Sequence, residues 1–253
     1  SWDDANYEYF KDIYLKYKKI LSDNKISING KDILEVGSGR SIGAGYFFLK
    51  EGYSSWTASD PFRHPNDNAY MANKEYNLAL EIIGNKEDTN NLVSLKNNKI
   101  IFKNKINFLK DDITILNNNF INKFDIILSN AVFEHVPKEF MDKAFSNMYK
   151  YLKKGGVMIH EIDLRDHINI HGNPFNFYKY SDREWDDLTK NSIFYTNRLR
   201  VNDFYKIFKK NKLKVLGKEV KKDNINVKIH EELKSKYNEN DLKITFLLVV
   251  LRK

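Results

Sequence analysis

The chain has 253 residues, 42% of them hydrophobic, and 42 Lys or Arg against 34 Asp or Glu give it a formal net charge of +8. That apolar share sustains a substantial core and excludes a chain disordered throughout. The absence of cysteine excludes disulfides, thiolate metal sites and a cysteine nucleophile, and fits a cytoplasmic location; no apolar run of about 18 residues suggests a membrane span, and no secretory signal opens the chain.

Phe10, Ile13, Tyr14, Tyr17, Ile20 and Leu21 recur at helical spacing, so residues 1–30 are expected to form a helical cap. Asp32-Ile33-Leu34-Glu35-Val36 is a short apolar run ending in a glycine turn and reads as a buried strand. A helix pattern from Ile42 to Lys50 and a second strand from Ser55 to Asp60, stopped by Pro61, complete a βαβ unit. Residues 63–100 are less regular, an insertion with one helix from about Asn66 to Ile83. Lys105 to Asp112 and Phe124 to Ser129 read as strands three and four. The helix entered at Pro137 keeps Phe140, Met141, Ala144, Phe145, Met148 and Leu152 on one face, and Gly155-Gly156 is expected to end it. Val157 to Leu164 is strand five, and residues 165–200 break the rhythm as a second insertion. A helix from Val201 to Lys210, a strand from Leu213 to Val220, a charged segment over 221–240 and a last strand from Ile244 to Leu251 close the chain. The alternation predicts one α/β domain over 1–253 with a doubly wound, mostly parallel sheet, whose ligands sit beyond the carboxyl ends of the strands.

The segment after the first strand is Glu35-Val36-Gly37-Ser38-Gly39-Arg40-Ser41-Ile42-Gly43. Its two close glycines allow a sharp turn and close approach of backbone to a ligand, and the helix that follows offers free N–H groups. A dinucleotide site would want glycine where Ile42 stands, so the NAD pattern fails. Asp60, at the tip of strand two, is placed to accept from both hydroxyls of a ribose. Phe62 could pack on an adenine face, and Asp112 could accept from the adenine amino group or be an ordinary turn acid.

Leu34 to Gly39, Asp60, Asp112, the run Phe124-Asp125-Ile126-Ile127-Leu128-Ser129-Asn130-Ala131-Val132-Phe133-Glu134-His135-Val136 and the turn Leu152-Lys153-Lys154-Gly155-Gly156 together resemble the class I S-adenosylmethionine (SAM)-dependent methyltransferases. The resemblance implies a Rossmann-like seven-stranded sheet with an antiparallel last strand. It places Glu35, Gly37, Ser38 and Gly39 around the methionine end of SAM, Asp60 at the ribose with Pro61 and Phe62 beside it, Asp112 at the adenine, and Asn130 among the cofactor's contacts. The family's third glycine is displaced here to Gly43.

Methyl transfer from a sulfonium needs a nucleophile held in line, and a base only where the acceptor is a neutral hydroxyl or amine. His135, His160, His167 and His171 fall within 37 residues on the expected active-site edge. His167 is the candidate base, with Asp163 to orient it, and His135 is the second catalytic candidate. In ubiquinone-biosynthesis O-methyltransferases a segment similar to Glu134-His135 supplies a divalent metal with a further acid three residues earlier. Here that position is Ala131, so no metal is expected, although Glu161 and Asp163 share a strand face that could complete a site.

Residues 165–200 interleave cations with rings, which suits a sugar, nucleotide or phosphate-bearing acceptor. Arg165, His171, Tyr180, Arg198 and Arg200 are its candidate contacts; the alternative is a lid packed on its own rings. The whole chain, including Asn197-Arg198-Leu199-Arg200, is similar to bacterial methyltransferases of capsule and lipopolysaccharide biosynthesis, which implies a small acceptor such as an activated sugar or a phosphoramidate-type precursor. The positive charge leaves an RNA methyltransferase as a competing reading, but Ser129-Asn130-Ala131-Val132 lacks the Asn/Asp-Pro-Pro-aromatic segment of base-amino methylation, so nucleic acid is an unlikely partner. A non-catalytic SAM-fold partner protein is the other alternative.

Overall fold

The computed structural model describes residues 6–168, 172–189, 192 and 195–253. The apolar runs pair as strands in a seven-stranded sheet: β1 (Asp32–Val36), β2 (Ser55–Ser59), β5 (Ile106–Leu109), β6 (Phe124–Asn130), β7 (Leu152–Asp163), β8 (Lys214–Lys222) and β9 (Ile244–Arg252), in the order β5-β2-β1-β6-β7-β9-β8. Strands β1, β2, β5, β6 and β7 are parallel neighbours, whereas β9 runs antiparallel to both β7 and β8. This is the Rossmann-like doubly wound sheet with an antiparallel last strand that the motifs imply.

The order reverses at β1, which lies between β2 and β6 and is therefore the switch point where ligands collect. Register sets the working edge: Val36 pairs with Ser59 on one side and Ser129 on the other, and Asn130 pairs with Glu161. Gly37, Asp60, Asn130 and the end of β7 are thus brought to one rim of the sheet.

Helices cover both faces. One apolar cluster packs α1 (Tyr7–Asp23) and α2 (Gly43–Phe47) against β1 and β2 through Phe10, Tyr17, Trp56 and Ala58; the other packs α5 (Met141–Tyr151) and α7 (Val201–Lys210) through Phe145, Met148, Phe204 and Phe208. The N-terminal stripe is therefore core, and Phe10, Ile13, Tyr17, Ile20 and Leu21 are all buried.

Three local expectations are corrected. After α3 (Ala69–Ile83) and α4 (Lys86–Leu92), residues read as linker form a hairpin of β3 (Val93–Lys96) and β4 (Lys99–Phe102). Its turn is Asn97-Asn98 with φ of 51° and 57°, the left-handed pair that a two-residue hairpin requires and asparagine tolerates. Helix α5 ends where Leu152 turns extended (φ −67°, ψ 136°), and Gly155-Gly156 lies within β7 at the register shift against β6. The charged segment 221–240 contains α8 (Glu231–Lys236) and α9 (Glu239–Leu242), and Leu233 and Leu242 join Phe175, Phe177, Tyr178 and Trp185 in a third small core. Trp185 lies on α6 (Asp182–Thr189), so the rings of the 165–200 insertion pack largely on one another.

Candidate active site

The glycine loop is shaped by two left-handed residues, Gly37 (φ +69°) and Gly39 (φ +70°). A Cβ on Gly37 would stand 2.3 Å from Val132 Cγ2, whereas one on Gly39 would meet nothing within 4 Å among the described residues. Gly43 has a different task, since a Cβ there would meet the Phe10 ring at 2.3 Å; it lets α1 lie directly on α2.

Asp60 is buried at the tip of β2, with Oδ2 accepting from Gly39 N–H (3.1 Å) and Oδ1 accepting from the N–H groups of Phe62 and Arg63 (each 2.9 Å). Pro61 is half-buried, and the Phe62 ring, 84% exposed, is open to a planar ligand. Asp112 is half-buried, its Oδ1 accepting from the N–H and hydroxyl of Thr114 at 2.8 Å each.

A cavity opens beside this loop, lined by Glu35, Gly37, Ser38, Gly39 and Asn130 from the sheet edge, by Tyr9, Phe10 and Ile13 of α1, and by Met71, Lys74 and Glu75 of α3. Glu35 is 7% exposed and accepts from Trp56 Nε1–H at 2.9 Å. Burial pushes its carboxyl up to about 7, with the nearby Glu75 adding to the rise. Glu75 is itself buried and raised by burial, and accepts from Ile42 N–H (3.0 Å) and the Tyr46 hydroxyl (2.7 Å). Asn130 Oδ1 is buried without a hydrogen-bond partner among the described residues. Two glycines bare of Cβ, an orphaned amide oxygen and a pair of buried acids form a cradle that fits a ligand with a cationic amino-acid end. Tyr9 and Glu75 were not singled out in the sequence, because nothing local marks a residue of α1 or α3 as cavity lining.

The chain after β6 turns through Ala131 (φ +52°), whose N–H donates to Glu161 O at 3.0 Å. This turn brings Glu134 and His135 toward the end of β7. There Asp163 binds Arg165 through two contacts, Nε to Oδ1 at 2.9 Å and Nη2 to Oδ2 at 2.7 Å, and His167 Nε2 lies 3.4 Å from Asp163 Oδ2. Burial pushes the Asp163 carboxyl upward, but His167 and Arg165 outweigh it and hold it at about 2. The His135 and His167 rings stand 4.8 Å apart, and burial lowers His135 to about 4. Arg63, which lines the cavity, acts electrostatically on His135, and Glu134 on Tyr9, another lining residue. His160 is elsewhere, in the core against Phe133 and Phe145 with Nδ1 2.8 Å from Ser129 Oγ.

Arg198 and Arg200 are corrected from acceptor contacts to structural clamps. Arg198 donates to the carbonyls of Phe177 (3.0 Å) and Tyr180 (2.9 Å) and pairs with Asp182. Arg200 is 0% exposed and donates to the carbonyls of Leu164 (2.8 Å) and Ile244. Asn197 from the same run donates to the carbonyls of Phe133 and Val136, holding the Glu134-His135 turn. Tyr180 is half-buried beside Trp185, and Arg165 lies over the Phe246 ring at 4.3 Å. His171 lies outside the described residues.

A sheet of this order, with a glycine loop after β1 and a buried acid at the tip of β2, has the Rossmann-like architecture of the SAM-dependent methyltransferase fold. The chain belongs to the methyltransferase-domain family, which matches residues 8–219. It is 31% identical over 143 residues to phosphoethanolamine N-methyltransferase of Plasmodium falciparum, a match covering 56% of this chain and 42% of that one, so the chain spans less than half the length of that curated relative. Among solved structures, an S-adenosylmethionine-dependent methyltransferase from Mesorhizobium loti is similar over the full length of both chains (TM-score 0.54, 14% identity). Phosphoethanolamine N-methyltransferase 2 of Haemonchus contortus, in complex with SAM, is similar over 94% of this chain and 52% of its own (TM-score 0.53, 16% identity). The chain thus carries a methyltransferase domain, in a fold it shares with structures described as S-adenosylmethionine-dependent methyltransferases. Among the described residues no helix is long and apolar enough to cross a membrane.

Proposed function

We propose that this protein methylates an oxygen of a small polar acceptor carrying a sugar, an activated nucleotide or a phosphoryl group, such as a phosphoramidate-type building block of a bacterial capsule or lipopolysaccharide. The observation that carries this reading is the cluster of Glu134, His135 and His167, with Asp163 3.4 Å from His167 Nε2, in the segments that follow Asn130 and β7. A hydroxyl acceptor has a proton to lose, and such a cluster is the machinery for it.

SAM supplies a methyl carbon on a cationic sulfur, which an in-line nucleophile displaces. In this reading Glu35 faces the donor's ammonium group, Gly37, Ser38 and Gly39 pass under its amino-acid end, and Asp60 exchanges its loop hydrogen bonds for the ribose hydroxyls. Pro61 and Phe62 flank the adenine, Asp112 accepts from its amino group, and Asn130 presents its unpartnered oxygen at the junction of donor and acceptor. Arg165 and Tyr180 border the acceptor, and Asp163, fixed by Arg165, keeps negative charge beside the two imidazoles. As the acceptor oxygen forms its bond to the methyl carbon, the carbon–sulfur pair leaves on sulfur as neutral S-adenosylhomocysteine (SAH).

The Plasmodium relative favours a second reading in which the acceptor is a phosphate-bearing amine. The two share a phosphoryl group and differ in the atom methylated. Methyl-labelled SAM, offered with nucleotide sugars, sugar phosphates, phosphoramidates and phosphoethanolamine, separates them when the product is analysed by NMR. An O-methyl product supports the first reading, an N-methyl product the second. Transfer to RNA alone, or SAM binding without turnover of any acceptor, overturns both.

A further inference from the structure

We propose that Glu134, His135 and His167 form a binding site for one borderline divalent cation, of the kind that takes two imidazoles and a carboxylate, such as Zn2+ or Mn2+. One ligand atom from each of these residues lies within 4.8 Å of the others. An ion about 2.1 Å from each ligand needs separations of about 3 to 4.2 Å, so side-chain shifts below about 1 Å close the set. The stronger observation is what these side chains do not bond. Glu134 is 2% exposed, with the N–H groups of its own residue and Asp163 beside it, yet among the described residues neither carboxylate oxygen accepts a well-aligned hydrogen bond. His167 is 6% exposed, and among the described residues its Nε2 makes no well-aligned hydrogen bond, Asp163 Oδ2 standing 3.4 Å away. Buried acceptors left unmade are costly, and a cation held between Glu134 and the imidazoles would satisfy them.

The imidazoles are also oriented as ligands. His135 Nδ1 lies 2.7 Å from the Tyr195 carbonyl, a contact only an N–H can satisfy, which leaves the Nε2 lone pair for a metal. Asp163 sits 3.4 Å from His167 Nε2, and its negative charge favours a cation. The acid that Ala131 fails to provide is thus replaced by a histidine 32 positions after His135, delivered by the turn following β7. Three protein ligands leave coordination positions open. Resting on the proposed O-methylation, we assign these positions to adjacent oxygens of the acceptor, whose hydroxyl proton then passes to solvent as coordination lowers its pKa. An ion there takes the His167 lone pair, so it replaces that histidine as a base.

The test is metal binding by tag-free, chelator-stripped full chain, measured without acceptor. Zn2+ and Mn2+ titrations by calorimetry, and bound metal after gel filtration by mass spectrometry, are expected to show one equivalent. His167→Ala, His135→Ala and the near-isosteric Glu134→Gln are each expected to weaken binding at least tenfold while SAH affinity stays within twofold, which reports an intact fold. Cobalt substitution gives visible d–d absorption that these variants lose. No stoichiometric uptake by the unmodified chain, or uptake unchanged in His167→Ala and Glu134→Gln, overturns the site. Labelled methyl transfer by the stripped protein would overturn its role at the acceptor while leaving the O-methylation reading standing.

Discussion

Asp60 Oδ2 accepts a hydrogen bond from the backbone N–H of Gly39 at 3.1 Å, so the acid at the tip of β2 is latched to the glycine loop after β1. With Oδ1 held by the N–H groups of Phe62 and Arg63, one carboxylate organises both segments. Asp60→Ala is expected to weaken SAM binding at least tenfold, about 1.4 kcal/mol, with Asp60→Asn in between. Calorimetry with SAM and SAH measures this, and unchanged affinity in the alanine variant would remove Asp60 from the cofactor site.

The two loop glycines are predicted to differ. Gly39→Ala meets only the left-handed backbone cost of about 1–2 kcal/mol, because its Cβ has open space. Gly37→Ala adds overlap with Val132, whose Cγ2 would be 2.3 Å away, at a further cost of about 1–3 kcal/mol. The double variant Gly37→Ala/Val132→Ala recovers part of that second loss. Urea unfolding of the four proteins decides the matter, and equal destabilisation by the two single variants would show that the contact with Val132 does not matter.

Glu35 links stability and donor binding to pH in opposite senses. Its folded value of about 7 lies above the ordinary 4.5, so the neutral acid's contribution is fully present below pH 4.5 and is lost as pH rises through 7. Glu35→Gln is therefore expected to be more stable than the parent at pH 8 by up to about 3 kcal/mol, with the difference vanishing toward pH 4.5. SAM, being cationic, needs the ionised form, so parent affinity falls as pH drops below 7 while the glutamine variant binds weakly with a flat profile. Paired denaturation and calorimetry between pH 5 and 8 test both signs.

Arg200 is predicted to act on stability alone. Lysine cannot reach the Leu164 and Ile244 carbonyls together, and the buried oxygen left behind makes Arg200→Lys cost about 2–3 kcal/mol. SAH affinity stays unchanged. A variant as stable as the parent but defective in turnover would return Arg200 to the acceptor site.

The glycine-loop half of the candidate site was legible because its signals are local: a buried strand, a sharp glycine turn and an acid closing the next strand each occupy a few adjacent residues. Even there the sequence did not distinguish Gly37, which needs both its φ and its space, from Gly43, which serves only the approach of Phe10. The acceptor half was legible as residue types and misread as partners. Arg198 and Arg200 look like free cations in a ring-rich loop, but a charge bound to carbonyls and one facing a ligand are written with the same letter.

By itself, then, the sequence determined the strand–helix alternation, the switch point and the glycine loop, because hydrophobic period and turn chemistry act over neighbouring residues. Only the tertiary structure decided that Glu75 and Tyr9 line the cavity, that Asn197 clamps the turn bearing His135, and that His167 converges on Glu134. Those relationships join segments dozens of residues apart, and they exist only once strand register and core packing have set the distances between them.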